Sequence, residues 1–290
     1  MDASSIALVF EGGGTRNSYV APLVQRLIAE DITVGWVGGI SAGATLAAAY
    51  LTGNPARARE AFVEAVVDPR AGGIRSFFSG RGYFNAEYIY ETSTQPEGLY
   101  PFDFAAISNH PAQLGIAAVR ADTGETVHWT RADIPDLPSL VRRVRASSTM
   151  PILMPMPLIN GVPYVDGALG QSGGIPIDQA HNAGFDRLVV VRSRPRGFRR
   201  KPPKYPGIFS RVLRNYPEVA RLVRTRHERY NATAESIEEL ESEGKAFVFY
   251  PDNMRIGNSE RNLAKLEANF AAGEQQVARD FPTLREFIQG

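Results

Sequence analysis

Residues Trp36 to Tyr50 read WVGGISAGATLAAAY, and at their centre Gly39-Ile40-Ser41-Ala42-Gly43 forms a G-x-S-x-G. The apolar run Ile32 to Val37 leads into it and an alanine-rich helix former leads away. Strand, sharp turn and helix is the setting of a nucleophile elbow, which lifts a serine hydroxyl above the end of a sheet. Such a turn leaves no room for side chains on its flanks, so glycine suits positions 39 and 43. Ser41 then stands near a helix start, where free N–H groups and the dipole favour negative charge. The same five letters also fit a plain small-residue turn. The strand before and the helix after make Ser41 a candidate nucleophile.

Working outward, Ile6 to Phe10 (IALVF) reads as a buried strand that ends in Glu11-Gly12-Gly13-Gly14-Thr15-Arg16-Asn17. Helical spacing follows from Tyr19 to Glu30, through Val20, Leu23, Val24, Leu27 and Ile28. Strand, helix, strand and helix in this order predict a parallel α/β sheet. Asn54-Pro55 stops the elbow helix, and Ala56 to Val67 reads as another. Asp68 to Gly82 is rich in glycine and arginine and reads as irregular. The aromatic residues Phe77, Phe78, Tyr83, Phe84, Tyr88 and Tyr90 then suit either a satellite core or the lining of an acyl-chain pocket.

Gln113 to Arg120 and Thr126 to Thr130 form a hairpin around Asp122-Thr123-Gly124. Leu137 to Ser147 is an amphipathic helix. Met150 to Pro157 (MPILMPMP) has too many prolines for a regular element, and Asn160-Gly161 is a tight turn into a short strand that ends at Asp166-Gly167. A helix over Ile177 to Ala183 and a strand over Arg187 to Val191 complete a catalytic part, residues 1–193. Residues 194–290 form a basic, mostly helical C-terminal region packed on it. Helices are expected at Ile208 to Leu213, Pro217 to Leu240, Ser259 to Phe270 and Ala272 to Asp280, with one strand at Ala246 to Tyr250, and Leu284 to Ile288 closes the chain.

Composition narrows the function classes. The chain has 290 residues, enough for a sizeable core, and no cysteine, which removes disulfides and thiolate metal sites. The start, MDASSIALVFEGGG, lacks the pattern of a signal peptide, and no apolar run approaches the roughly 20 residues of a membrane span. The expectation is a cytoplasmic protein with neither metal nor cofactor. A net charge of +1 conceals an asymmetry: Arg192 to Arg229 holds thirteen Lys and Arg against two acids, net +11, leaving −10 elsewhere. That stretch suits either a solvated face paired with the acidic remainder or a contact with anionic membrane at its inner face. Nucleic acid is not expected, since no reading motif accompanies the arginines.

A serine needs a base. Of His110, His128, His181 and His227, the last two follow Asp166 in the order a triad would use, but neither sits on a loop after a strand. Asp166 ends a strand, and a carboxylate whose pKa is raised by burial can act as base. Backbone N–H groups of the glycine loop and of Ala42 can supply an oxyanion hole. The same loop has a rival reading as a dinucleotide fingerprint, with Glu30 and Asp31 near the right distance, but Asn17 stands in place of the third glycine.

Together, Glu11-Gly12-Gly13-Gly14-Thr15-Arg16, Gly39-Ile40-Ser41-Ala42-Gly43 and Asp166-Gly167 resemble the patatin-like phospholipase family, over about Ile6 to Ser193 and including Ala146-Ser147-Ser148. The likeness is to bacterial members with an added C-terminal region. It departs from the family's glycine motif at Glu11 and Asn17. The resemblance implies a three-layer α/β/α fold with a mostly parallel sheet and a serine hydrolase of lipid acyl esters working through a Ser–Asp dyad without histidine. Carried over, Ser41 is the nucleophile and Asp166 the base. The Gly12–Gly14 loop is the oxyanion hole, with Gly13, Gly14 and Ala42 as donors, and Arg16 touches either a loop acid or the substrate's phosphate or carboxylate. An acyltransferase using the same serine, or a membrane-surface module with minor chemistry, is the alternative.

Overall fold

The elbow constrains its surroundings through two close approaches. In the computed structural model, a Cβ on Gly39 would lie 2.2 Å from the backbone carbonyl of Gly43, and one on Gly43 would lie 2.4 Å from the carbonyl oxygen of Phe10. Strand β2 (Thr33–Gly39), helix α2 (Ala42–Leu51) and strand β1 (Asp2–Phe10) therefore meet with no side chain between them. The structure describes the whole chain except residues 74, 75, 77, 78 and 81. Phe77 and Phe78 of the aromatic run lie outside the described residues, as does part of the glycine- and arginine-rich stretch before it.

The central sheet runs in the order β5, β6, β3, β2, β1, β7, β8, with β4 also on β3. The further strands are β3 (Gln113–Arg120), β4 (Thr126–Thr130), β5 (Leu158–Ile159), β6 (Val162–Asp166), β7 (Arg187–Val191) and β8 (Ala246–Phe249). β3, β2, β1, β7 and β8 are parallel neighbours, while β4 and β6 join β3 antiparallel. Both faces of β1 are buried. Ile6, Leu8 and Phe10 enter one core and Ala7 and Val9 the other, as alternation demands of a strand covered on both sides.

The first core is covered by α1 (Ala21–Ala29), α2, α5 (Leu137–Ser148) and the long terminal α9 (Leu263–Gln289). The second is covered by α6 (Ile177–Asn182) and α8 (Pro217–Ser242). The shorter helices are α3 (Ala56–Arg59), α4 (Phe104–Asn109) and α7 (Pro206–Val212). This is the three-layer, mostly parallel architecture that the motifs imply.

Register explains why the elbow and Asp166 meet. β4 occupies one edge of β3 throughout, from Gly115 to Val119. On the opposite edge β2 pairs with β3 as far as Gly39 opposite Ile116, and β6 takes over from Ala118, which faces Asp166. β2 and β6 thus run toward each other along β3 and stop two residues apart. The C-terminal ends of both strands, and so both candidate groups, are brought to one point.

Two helical expectations change, and one element was not expected. Ala56 to Val67 is α3 followed by a wide π-type turn at Glu60–Glu64 and a tight 3-10 turn at Ala65–Val67. A second π-type turn spans Glu87–Thr92. The two helices read over Ser259 to Asp280 are one, α9, which also takes in the closing Leu284 to Ile288. Gly273 is a packing point rather than a stop, since a Cβ there would lie 1.9 Å from the Tyr19 carbonyl oxygen, and Pro282 is carried inside the helix. The proline run at Met150 to Pro157 is irregular as read, and Asn160-Gly161 turns between β5 and β6 with both residues at positive φ, 52° and 79°.

The close approaches set a stability test. Gly39→Ala and Gly43→Ala each force Cβ into backbone and are expected to lower the unfolding free energy by about 2 kcal/mol or more. Gly207→Ala, in α7 with open space at its Cβ, should be neutral or stabilising by up to ~1 kcal/mol. Urea midpoints of the three variants decide the matter; equal midpoints would remove the steric argument.

Candidate active site

Ser41 sits between β2 and α2 with φ 58° and ψ −128°, a conformation non-glycine residues rarely hold and one that costs roughly 1–3 kcal/mol. Its backbone N–H donates to Ser147 Oγ at 2.9 Å, so α5 braces the turn. Its hydroxyl donates to Asp166 Oδ2 at 3.0 Å. Asp166 is held in turn. Its backbone N–H donates to the Thr149 carbonyl at 2.8 Å, and its Oδ1 accepts the Ala168 N–H at 2.8 Å. Burial pushes the Asp166 carboxyl upward, and the opposing pull of Arg226, Ala168 N–H, the Ser41 hydroxyl and Arg200 does not fully cancel it.

The glycine loop lies against the elbow, with the Cβ position of Gly12 only 2.9 Å from the Ile40 carbonyl oxygen. Gly12 N–H donates to the Gly174 carbonyl at 3.0 Å, which takes it out of the set of free donors. The backbone N–H groups of Gly13, Gly14 and Ala42 make no hydrogen bond among the described residues and border the same cavity as Ser41.

Both departures of the loop from the family motif have structural partners. Asn17 is fully buried and its Nδ2 donates to the Glu11 carbonyl at 3.3 Å. The Glu11 carboxylate is buried too. It accepts from Arg192 Nε at 2.8 Å, Ser193 N–H at 2.9 Å and Tyr230 Oη at 2.8 Å. Burial alone would raise this carboxyl, but Arg192 and the two further donors outweigh it and hold it below its ordinary value.

The cavity has a volume of about 320 Å³. One end is polar, lined by the glycine loop, Ser41, Asp166 and arginines. The rest is mainly apolar, walled by α5 and by the two π-type turns through Phe62, Ile89, Val141 and Val144, while Tyr90 lies beside Asp166. Of the aromatic run, Phe84 and Tyr90 line this cavity, and Phe84 also forms a small core with Ala86 and Met154. Phe84 thus borders the cavity and belongs to a satellite core at once.

The histidines lie elsewhere. His110 stacks edge-on against Tyr50 at 5.3 Å, His128 contacts Gln179, and His181 and His227 donate to nearby carbonyls of Phe185 and Arg224 at 3.0 Å. Among the described residues no histidine lines the cavity, and no cluster of three or more His, Asp or Glu side chains could hold a metal ion.

Arg16 is buried and lines the cavity, and its Nε donates to the Ser193 carbonyl at 3.3 Å rather than to an acid. The basic stretch is less solvated than its composition suggests. Arg192 is buried on Glu11. Arg196, Arg199 and Arg221 pair with Glu241, Glu238 and Glu218, and Arg229 caps the carbonyls of Leu169, Gly170 and Leu222. Arg194, Arg200 and Arg226 reach the cavity, and sequence reasoning missed them. One signal was available. Arg192 and Arg194 follow the carboxyl end of the parallel strand β7, where ligands of open α/β sheets bind.

A family model described as patatin-like phospholipase matches residues 8–181. A second, described as a domain of unknown function (DUF6363), matches residues 216–289. No curated protein matches the chain. Among solved structures the chain is similar to VipD from Legionella pneumophila, at 12% identity and a TM-score of 0.41, over 97% of this chain and 78% of that one.

The buried pair offers a measurement independent of activity. Glu11→Gln leaves Arg192 charged and unpaired, and is expected to cost roughly 3 kcal/mol at neutral pH. Because the folded pKa of Glu11 is depressed, its contribution is fully present above the ordinary glutamate value and is lost as pH falls through the folded one. Urea titrations should therefore show the gap between parent and variant closing on acidification; a gap constant with pH would contradict the assignment.

Proposed function

This chain belongs to the patatin-like phospholipase family, whose members hydrolyse lipid acyl esters, and from that premise we propose that Ser41 and Asp166 perform the hydrolysis as a two-residue unit. The observation that carries the proposal is the 3.0 Å hydrogen bond from Ser41 Oγ to Asp166 Oδ2, at the polar end of a cavity whose other end is apolar. Asp166 takes the Ser41 proton as Oγ attacks the ester carbonyl carbon. The oxyanion faces the free N–H groups of Gly13, Gly14 and Ala42, which need no reorganisation to receive it. Collapse expels the alcohol, which leaves with the proton from Asp166. Water then gives a proton to Asp166 and attacks acyl-Ser41, and the fatty acid departs with the original hydroxyl restored. The apolar end holds the acyl chain.

A raised carboxyl pKa suits this role, since a base poised closer to neutrality takes a proton more readily than an ordinary aspartate. The carboxylate does both parts of a triad's work. Its Oδ1 is fixed by Ala168 N–H while Oδ2 faces the serine.

A membrane contact is a second element of the reading, narrower than the whole basic stretch. Tyr205, Ile208 and Val212 on and beside α7 are exposed large hydrophobics, and the exposed Lys201, Lys204, Arg211 and Arg214 interleave with them. Apolar side chains among cations that make no ion pair among the described residues suit an anionic lipid surface. Among the described residues no helix is long and apolar enough to cross a membrane.

Ser41→Ala should abolish hydrolysis of short p-nitrophenyl esters, and Asp166→Asn should lower kcat at least 10²-fold, while His181→Ala and His227→Ala stay within about twofold. Near-parental turnover by Ser41→Ala would refute the assignment. The acidic limb of kcat/KM should report ionisation of a carboxyl above the ordinary aspartate range, with activity rising as pH rises through it. The same raised pKa means that ionised Asp166 costs folding stability, so Asp166→Asn should melt at or above the parent temperature at neutral pH. For the membrane contact, sedimentation with anionic vesicles at low salt should weaken on Ile208→Asp and at high salt; binding indifferent to both would exclude this face.

A further inference from the structure

Four guanidinium groups reach the polar end of the cavity: Arg16 from the glycine loop, Arg194 and Arg200 from the segment after β7, and Arg226 from α8. Arg16 and Arg226 each give one hydrogen bond to a carbonyl, of Ser193 at 3.3 Å and of Gly173 at 3.2 Å. The Nε atoms of Arg194 and Arg200 are buried and have no partner among the described residues. These two side chains lie over the rings of Phe198 and Tyr230, at 4.3 Å and 5.1 Å.

The acids available do not neutralise this group. Glu11 is occupied by Arg192. Among the described residues Asp166 is the sole carboxylate lining the cavity, and it is engaged with Ser41. The charge balance there is four positive against one negative. Burial, then the neighbouring Arg194, pushes Arg16 down to about 10, and burial, then Arg200, does the same to Arg226. The cations are desolvated and repel one another. Arg57, the cavity's other arginine, pairs with Glu60 and stacks on Phe102 at 4.3 Å. Arg57 apart, these four are the arginines that line the cavity among the described residues.

We propose that Arg16, Arg194, Arg200 and Arg226 form a subsite for the phosphate of an acyl-ester substrate whose head bears no ammonium group, such as a phosphatidate, a lysophosphatidate or a phosphodiester of an uncharged alcohol. The proposal rests on the hydrolase reading of Ser41 and adds the head-group class. Guanidinium forks match phosphate oxygens and give charge-assisted bonds stronger than neutral ones. A choline or ethanolamine head would bring a cation among four others with no free carboxylate to receive it. A neutral glyceride would leave all four uncompensated. With phosphate here and the ester carbonyl at Ser41, the acyl chain runs on into the apolar end.

Equilibrium binding to the Ser41→Ala protein tests this without relying on turnover, so failure of the hydrolase reading and failure of the subsite are told apart. At fixed ionic strength, submicellar lysophosphatidate should bind at least tenfold more tightly than lysophosphatidylcholine or monoacylglycerol of the same chain length. Adding R194Q and R200Q to that protein should erase the difference. Equal affinity for the three lipids, or a preference that survives the two substitutions, would overturn the proposal. Inorganic phosphate binding as tightly as lysophosphatidate would assign the site to a free anion and overturn the head-group assignment. Relief of repulsion should also keep the melting temperatures of R194Q and R200Q, each made alone, level with or above the parent. A clear fall in both would mark the arginines as structural and count against the subsite.

Discussion

The buried ion pair between Glu11 and Arg192 holds the site together. Glu11 follows β1 as the first residue of the glycine loop, and Arg192 follows β7, the next strand across. Removing two charges from water is costly unless they are paired and their remaining hydrogen-bonding capacity is filled. Here Ser193 N–H and Tyr230 Oη fill it, and Arg192 Nη2 also donates to Tyr230 Oη at 3.0 Å. With the first residue of the loop anchored, the following glycines have one path. Gly12 is tied to Gly174, and Thr15 N–H donates to the Asn258 carbonyl at 3.1 Å. Donors fixed before any charge develops are what an oxyanion hole requires.

Two buried carboxyls bracket this loop, and their environments drive them apart. Glu11 meets a cation and two further donors and is held below its ordinary pKa. Asp166 is comparably buried but has no ion-pair partner in contact, only the longer-range pull of Arg226 and Arg200, so burial prevails and its pKa rises. One is suited to structure and the other to proton transfer, a division set by neighbours rather than by residue type. The meeting of Asp166 with Ser41 is topological. An antiparallel strand completes the edge of β3 where a parallel one stops, and both deliver their last residues to the same gap.

Much of this was legible in the sequence because it is local. The elbow glycines, the strand before them, the Asp122-Thr123-Gly124 hairpin and the Asn160-Gly161 turn are each dictated within a few residues. What the sequence could not reveal depends on distant contacts. Gly273 is needed by the Tyr19 backbone, and nothing within α9 indicates that its residues 263–289 continue as one helix. The depletion of Gly12 as a donor requires Gly174. The inward turn of Arg194, Arg200 and Arg226 was hidden because charge counting does not distinguish a solvated arginine from one over Tyr230 or Phe198. Glu11 was visible as a departure from the family motif, but its reason lay 181 residues away at Arg192.

The net +11 of Arg192 to Arg229 resolves into three populations with different physics. Arg192, Arg196, Arg199, Arg221 and Arg229 meet carboxylates or carbonyls, and all but Arg221, whose partner is on the same helix, tie α8 to the rest of the chain. Four cations, with three hydrophobic side chains among them, face outward around α7. Arg194, Arg200 and Arg226 enter the cavity, where the described residues offer no free acid to match them, and Arg224 donates instead to Ser210 Oγ at 2.6 Å. The first population makes the last possible. α8 delivers Tyr230 to Glu11 and Arg226 to the cavity one turn apart on the same helix, so the contact that secures the loop also fixes the cationic wall beside it. α9 braces the loop from the other face, where Asn269 Nδ2 donates to Ser18 Oγ at 2.9 Å and Tyr19 Oη to Gln276 Oε1 at 2.7 Å. The loop that borders Ser41 is thus clamped between two helices that follow the motif-bearing part of the chain. Changes in those helices reach the site through named hydrogen bonds rather than through general stability.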